Sequence, residues 1–206
     1  MPTNDDRLKQ ILVELERFEG RKSFLYNDSA SPPNRTIGVG CLIKDAASAS
    51  QLPFHNVTAG RLATPAEITA DFSRVAMMPG SLPAKSYRAQ PGTPVLELSD
   101  DAVTALGVSK LRDQFLPGLR DLCPGFDDFP LSAQSVLIDM AWNLGLGAAA
   151  TATRKATGLH GFPSLIAACN KGDWATAAKQ SHVSTSRDER NAWRAQQLLA
   201  AGAPPA

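Results

Sequence analysis

The sequence lacks the features that mark membrane-spanning and secreted proteins. No apolar run among its 206 residues approaches the length needed to cross a bilayer. The chain begins MPTNDDR, without the basic and apolar regions of a cleavable signal peptide. Its hydrophobic content of 43% and charged content of 20% are those of an ordinary globular protein. We therefore expect no membrane span, and a chain of this length can bury a sizeable core.

Cysteine is scarce, and its spacing suits no metal site. The three cysteines are Cys41, Cys123 and Cys169. Cys41 falls in a predicted strand and Cys169 on the apolar face of a predicted helix, so we interpret the cysteines as buried free thiols. A cysteine nucleophile activated by one of the three histidines is an alternative that no local pattern supports. The chain as a whole implies no metal and no organic cofactor.

The chain also lacks a strong net charge. Its formal charge of +1 argues against bulk nucleic-acid binding. The charges are uneven, because residues 92–139 carry eight acids and three bases whereas residues 154–206 carry seven bases and three acids. Two interpretations remain open for the basic C-terminal region. It faces an anionic polymer, or it is an ordinary solvated helix surface.

The sequence from Phe18 to Leu42 combines a helix end with a predicted hairpin. An amphipathic helix leads into it, with apolar residues at helical spacing, and Gly20 suits the left-handed cap that ends such a helix. Residues 24–28 and 36–42 are predicted to be short strands, joined by a turn rich in Ser, Pro and Asn. We expect this hairpin to fold back toward the helix end.

Three polar groups in this stretch, Glu19, Asp28 and Thr36, are the candidate catalytic residues. Glycosidic bond hydrolysis requires one protonated carboxyl group and one ionised carboxylate, and a hydroxyl can help to hold the attacking water. The order of these residues resembles the catalytic motif of the phage-type lysozymes, the muramidases of glycoside hydrolase family 24. It consists of Glu-Gly, a following Asp and then Thr-Ile-Gly-Val-Gly. The turn between Asp28 and Thr36 is longer than is usual in that family. Without the resemblance, the same residues describe a helix end followed by an ordinary surface hairpin.

The resemblance implies hydrolysis of the β-1,4 bond between N-acetylmuramic acid and N-acetylglucosamine in peptidoglycan. Glu19 would be the general acid, Asp28 the ionised carboxylate, and Thr36 would position the attacking water with Asp28. One alternative is a non-catalytic module that binds glycan strands on a lysozyme fold. Another is a helical interaction or regulatory protein in which the motif is fortuitous.

The remaining helices are predicted from their start and stop signals. Thr64 begins a helix with a capping box, Ser99 begins one that stops at Pro117-Gly118, and Ser186 begins the last with a second capping box. A strongly apolar helix runs from Leu131 to Gly145, and two short helices cover roughly 162–169 and 173–180. Residues 43–63 and 81–98 show no period and are predicted to be irregular segments that a compact phage lysozyme lacks.

The resemblance extends to further site residues outside the catalytic string. It implies substrate contacts at Leu42, Trp142, Asn143 and Gln180, and an arginine, Arg190, beside Glu19. An aromatic face packs on sugar C–H groups and an amide bonds to an acetamido group. For Trp142, simple core packing is the alternative. For Arg190, the alternative is an exposed helix arginine that pairs locally with its neighbours.

These patterns predict a mainly α, α+β lysozyme-like fold in one domain over residues 1–206. A small hairpin lobe (about 20–63) and a helical lobe (about 1–19 plus 64–206) would enclose a cleft. We expect a monomer whose partner is the peptidoglycan glycan strand, acting in the periplasm or cell wall after holin-type release or through a secretion system. A phage endolysin, a bacterial toxin with an immunity protein and an autolysin all fit the sequence.

Overall fold

A computed structural model describes residues 4–80, 82–88 and 90–203. The fold is mainly α with a small β component, as predicted. The α-helices are α1 (Asn4–Glu19), α2 (Ala46–Ser50), α3 (Pro65–Ala76), α4 (Lys85–Arg88), α5 (Asp100–Lys110), α6 (Leu116–Leu122), α7 (Leu131–Leu144), α8 (Pro163–Asn170), α9 (Trp174–Gln180) and α10 (Asp188–Ala201). A π-helical turn links α5 to α6, and short 3-10 turns precede α7 and α8.

The strands form two small antiparallel sheets. They are β1 (Lys22–Asn27), β2 (Arg35–Gly38), β3 (Cys41–Leu42), β4 (His55–Asn56), β5 (Arg61–Leu62) and β6 (Leu96–Glu97). The first sheet has the order β1-β2-β3 and the second the order β5-β4-β6. None of the helices among the described residues has the length and apolar character to cross a membrane.

The chain divides into two compact units. The hairpin unit is Leu15–Ser109, and the helical unit combines Met1–Glu14 with Lys110–Ala206. The sequence had suggested lobe boundaries near residues 20 and 63. In the structure, the hairpin unit also contains α3, α4, α5 and both sheets.

Within the hairpin unit, the first sheet packs on α3. The side chain of Asn27 donates from Nδ2 to the carbonyls of Val75 and Met78, 2.7 Å from each, and so joins β1 to the C-terminal end of α3. Helix α3 begins as predicted, with a complete capping box between Thr64 and Glu67. Its buried apolar residues are Ile68, Phe72 and Val75.

The second sheet corrects the prediction that 43–63 and 81–98 are irregular. His55 pairs with Leu62 on one side and with Glu97 on the other, so both segments contribute strands to one sheet. The predicted strand 36–42 is likewise two strands, β2 and β3, which turn at Val39-Gly40. Two-residue strands carry too little periodicity to be read from a sequence.

In the helical unit, α7 is the most deeply buried helix, and Asp139 lies at its centre with no exposed surface. Its carboxylate accepts from Nε of Arg190 at 2.9 Å and from Nε of Arg194 at 2.5 Å. Arg194 is completely buried and Arg190 is 8% exposed. Part of the excess positive charge of the C-terminal region is therefore buried. Arg190 is thus not an exposed helix arginine that pairs locally with its neighbours, which was the alternative interpretation.

Two predicted helix signals are wrong. Pro117-Gly118 does not end a helix. Pro117 instead lies in the first turn of α6, where the backbone needs no amide hydrogen from a proline. The last helix starts after Arg187, and no side chain caps it. Ser186 instead donates from Oγ to Oδ1 of Asn143 and accepts from Arg194. The predictions for the start and end of α7 and for the buried free cysteines are confirmed.

Candidate active site

Glu19 is the last residue of α1. Gly20 follows in the left-handed region at φ 72°, and its amide closes the helix on the carbonyl of Glu16 at 2.8 Å. A glycine suits this position because a Cβ is unfavourable at positive φ. Arg21 then bonds to the carboxylate of Glu16 and to Oγ1 of Thr104 at 3.0 Å. The chain beside Glu19 is therefore fixed at both the helix end and α5.

Asp28 follows the last residue of β1 and organises the turn after it. Its Oδ1 accepts from the amides of Ala30 at 3.0 Å and Asn34 at 2.8 Å, and its Oδ2 accepts from Nδ2 of Asn34 at 2.9 Å. Partial burial acts to raise the pKa of Asp28, but the hydrogen bonds from Asn34 and Ala30 and the charge of Arg35 outweigh it, so that the pKa is lowered. Asp28 is thus held as a carboxylate.

The long turn between the strands does not displace Thr36 from the sheet. The amide of Asp28 bonds to the carbonyl of Asn34 at 3.0 Å and closes the turn, and β1 and β2 pair directly behind it. Arg35 adds a bond from Nη1 to the carbonyl of Pro33 at 3.1 Å and lies over the ring of Phe72, 5.4 Å from its centroid. These contacts hold the turn together beside the sheet.

Thr36 lies in the middle strand, opposite Tyr26 on β1 and Leu42 on β3. Side chains of residues paired across strands lie on the same face of a sheet, so these three form one row. Thr36 is 5% exposed and donates from Oγ1 to the carbonyl of Asn34 at 3.3 Å, whereas Leu42 is 56% exposed. An exposed leucine at the end of this row is suited to contact a ligand.

Tyr26 is a site residue that the sequence reasoning missed. Burial, and after it the charges of Glu19, Asp28 and Cys41, raise the pKa of Tyr26 to about 12. The available signal was its position two residues before Asp28, since alternate residues of a strand point to one face.

The other predicted site residues belong to the helical unit. Trp142, near the end of α7, has Nζ of Lys110 4.3 Å from its ring centroid, and its ring packs on Phe115 at 5.6 Å. Asn143 is exposed, but its Oδ1 accepts from Ser186 at 3.2 Å. These contacts hold both side chains in place.

Two further predicted residues lie on later helices of the helical unit. Gln180 is the exposed last residue of α9. Arg190 is bound to Asp139, and its predicted approach to Glu19 stays a prediction. No group of three or more His, Cys, Asp or Glu side chains within the described part of the chain is arranged to hold a metal ion.

No protein-family model matches this chain, and neither does any curated protein. The class that the fold and the candidate site define is a mainly α, α+β protein with two carboxylates and a threonine around a three-stranded sheet. Which reaction such a protein could catalyse depends on the chemistry of the two carboxylates and the threonine.

Proposed function

We propose that this protein hydrolyses the β-1,4 bond between N-acetylmuramic acid and N-acetylglucosamine in peptidoglycan, as the resemblance to phage-type lysozymes implies. One observation carries the proposal. Glu19 ends α1 shortly before β1, Asp28 directly follows β1, and Thr36 lies on the paired strand β2 opposite Tyr26, so one short stretch of chain carries all three groups. Two carboxylates and a hydroxyl are the groups that this hydrolysis requires.

Glu19 acts as the general acid in this proposal. It donates its proton to the glycosidic oxygen as the bond from that oxygen to the anomeric carbon breaks. A water molecule adds its oxygen to the anomeric carbon, and Asp28 takes the proton that this water releases. Thr36 holds the same water through the lone pairs of its hydroxyl, because its own proton points to Asn34.

The hydrogen bonding of Asp28 supports this division of roles. Three donors and the charge of Arg35 favour its ionised form, which suits a base and not an acid. An ionised carboxyl has about four lone-pair positions. The three hydrogen bonds from Asn34 and Ala30 therefore leave room for the water.

A glycan-binding protein without hydrolytic activity is the second candidate. It is favoured by the same three hydrogen bonds, because they give Asp28 a sufficient structural role in forming its turn. Such a protein would hold glycan strands along the row that ends at exposed Leu42.

Replacement of Glu19 by Gln separates these candidates. The change keeps the side-chain shape but removes the transferable proton, so clearing of a suspension of purified cell walls should slow by ~10²–10⁴-fold. Glu14→Gln, earlier on the same helix, is the matched control and should clear walls at the normal rate. Circular dichroism verifies that both variants are folded.

Rapid clearing by a folded Glu19→Gln variant would remove Glu19 from the acid role. If the unmodified protein sediments with insoluble walls but releases no reducing ends, the second candidate is correct. If it neither binds nor cleaves walls, both candidates are wrong.

A further inference from the structure

The turn that begins at Asp28 packs against the loop that follows α3. We call this loop, residues 77–80, the support loop. A Cβ added at Gly80 would lie 2.8 Å from the carbonyl oxygen of Asp28 and 2.8 Å from Cβ of Pro33, so no space for a methyl group remains between the support loop and the turn. Closely packed groups transmit displacements to one another. A shift of the support loop therefore moves the turn that carries Asp28.

Tyr87, on α4, fixes the support loop. Its side chain has no exposed surface, and its phenol O–H donates to the carbonyl of Pro79 in that loop. The backbone carbonyl of Tyr87 accepts from Nη2 of Arg74 at 2.5 Å, and the same Nη2 donates to Oδ1 of Asp71 at 2.7 Å. Tyr87 is thus bonded to α3 through its backbone and to the support loop through its hydroxyl. These two bonds hold the loop at a fixed distance from α4.

Asn27 makes a second attachment, from the end of β1. It directly precedes Asp28, is 3% exposed, and donates from Nδ2 to the carbonyls of Val75 in α3 and Met78 in the support loop. Its Oδ1 is buried without a hydrogen-bond partner in the described part of the chain. An unpaired buried oxygen costs free energy. What an asparagine contributes at this position is therefore its two donated bonds.

The two attachments converge on the backbone of Asp28. Helices α3 and α4 both pack against β1, the strand that ends immediately before this residue. Tyr87 and Asn27 are too deeply buried to contact a glycan strand, so they can influence a reaction only through the groups that they hold. A displacement of ~1 Å at a reacting group lowers rates ~10²-fold, so the rate depends on how firmly Asp28 is held.

We propose that Tyr87 and Asn27 are positioning residues, which act through the support loop to hold Asp28 where it takes the proton of the attacking water. The inference rests on the proposed hydrolysis. It also assigns a role to α4, which lies in a segment that the sequence predicted to be irregular.

Tyr87→Phe tests the first attachment, because it removes the hydroxyl and keeps the ring that fills the core. Initial rates of wall clearing at several wall concentrations should show kcat lowered about three- to tenfold and KM unchanged, since no substrate contact is lost. Ser86→Ala removes a hydroxyl from the same helix and is the matched control, with kcat unchanged. A folded Tyr87→Phe variant with normal kcat would overturn the proposal.

Two buried asparagines of the hairpin unit separate positioning from general stability. Asn27 and Asn56 are 3% and 4% exposed, and each makes two hydrogen bonds. Replacement of either by alanine should lower the midpoint of urea unfolding, but only Asn27→Ala should lower kcat, by about tenfold. Equal kcat in the two variants would mean that Asn27 is merely structural, against the proposal.

Amide chemical shifts of the labelled protein report on the turn without any activity. The amides of Ala30 and Asn34 donate to Asp28, so they should shift in Tyr87→Phe and stay unchanged in Ser86→Ala. Unchanged amides in Tyr87→Phe would overturn the mechanical link between α4 and the turn. If the amides shift but the unmodified protein clears no walls, the proposed hydrolysis is wrong and the catalytic role of this link is wrong with it.

Discussion

Gly80 offers a direct test of how the position of Asp28 is maintained. Gly80 follows α3 and lies against the turn that Asp28 begins, and it does not adopt a positive φ. A Cβ added there would lie 2.8 Å from the carbonyl oxygen of Asp28 and 2.8 Å from Cβ of Pro33. Replacement by alanine is therefore a purely steric change, directed at the backbone of the turn.

The size of the effect follows from these distances. Ordinary contacts begin at 3.4 Å, so the turn in a Gly80→Ala variant must withdraw by roughly half an ångström. Overpacking of this kind costs ~1–3 kcal/mol of unfolding free energy. Since a displacement of ~1 Å at a reacting group lowers rates ~10²-fold, we expect about a tenfold loss of wall hydrolysis.

Urea unfolding and a wall-clearing assay on the same preparation measure both effects. Gly161→Ala is the matched control, because the nearest atom to its new Cβ is the carbonyl oxygen of Ala156 at 3.8 Å. Unchanged stability and activity of Gly80→Ala would refute the argument that this glycine fixes the turn. Lower stability with full activity would mean that the exact position of Asp28 does not limit the reaction.

Three further predictions concern the stereochemistry of the reaction, the acid sensitivity of the fold and the buried ion pairs of Asp139. Asp28 and Thr36 sharing the attacking water requires an inverting mechanism, with carboxyl groups ~6.5–9.5 Å apart, so proton NMR of fresh products should show the α-anomer first. Because the pKa of Asp28 is lowered in the fold, its stabilising effect is complete above its unfolded pKa and is lost as the pH falls through its folded pKa. The unfolding free energy should therefore drop on acidification, less so in Asp28→Asn. Asp139→Asn leaves Arg190 and Arg194 buried without their counter-charge and should cost ~3–5 kcal/mol in urea unfolding.

A specific result would contradict each of these three predictions. A β-anomer as first product would mean retention and would remove the shared-water role. Equal acid sensitivity of the Asp28→Asn variant would show that other carboxyl groups dominate. For the buried pair, Asp188→Asn in the exposed first turn of α10 is the control. If Asp139→Asn lowers the unfolding free energy no more than Asp188→Asn does, the buried ion pairs do not stabilise the fold as argued.

The sequence by itself determined the features that depend on near neighbours. The end of α1 at Glu19 follows from Gly20, and the start of α3 follows from Thr64 and Glu67, three residues apart. Helix caps and helical stripes use contacts within a few residues, so a local pattern is sufficient to predict them. The mainly α fold class follows from the same local signals.

Some local signals failed because the surrounding structure offered a better contact. Pro117 is a stop signal in isolation, but a π-helical turn places it in the first turn of α6. Ser186 has the spacing of a cap, yet its hydroxyl bonds to Asn143 and Arg194 instead. A hydroxyl near a helix start has several possible partners, and only tertiary packing decides among them.

Only the tertiary structure decided the long-range pairings. His55 meets Glu97 across a sheet, and Asp139 meets Arg190 and Arg194 from a distant helix. Asp139 is an acid in an apolar helix, and nothing in the neighbouring sequence names its partners. Strand pairs and buried ion pairs depend on which distant segments meet, because their energy comes from contacts that local periodicity does not encode.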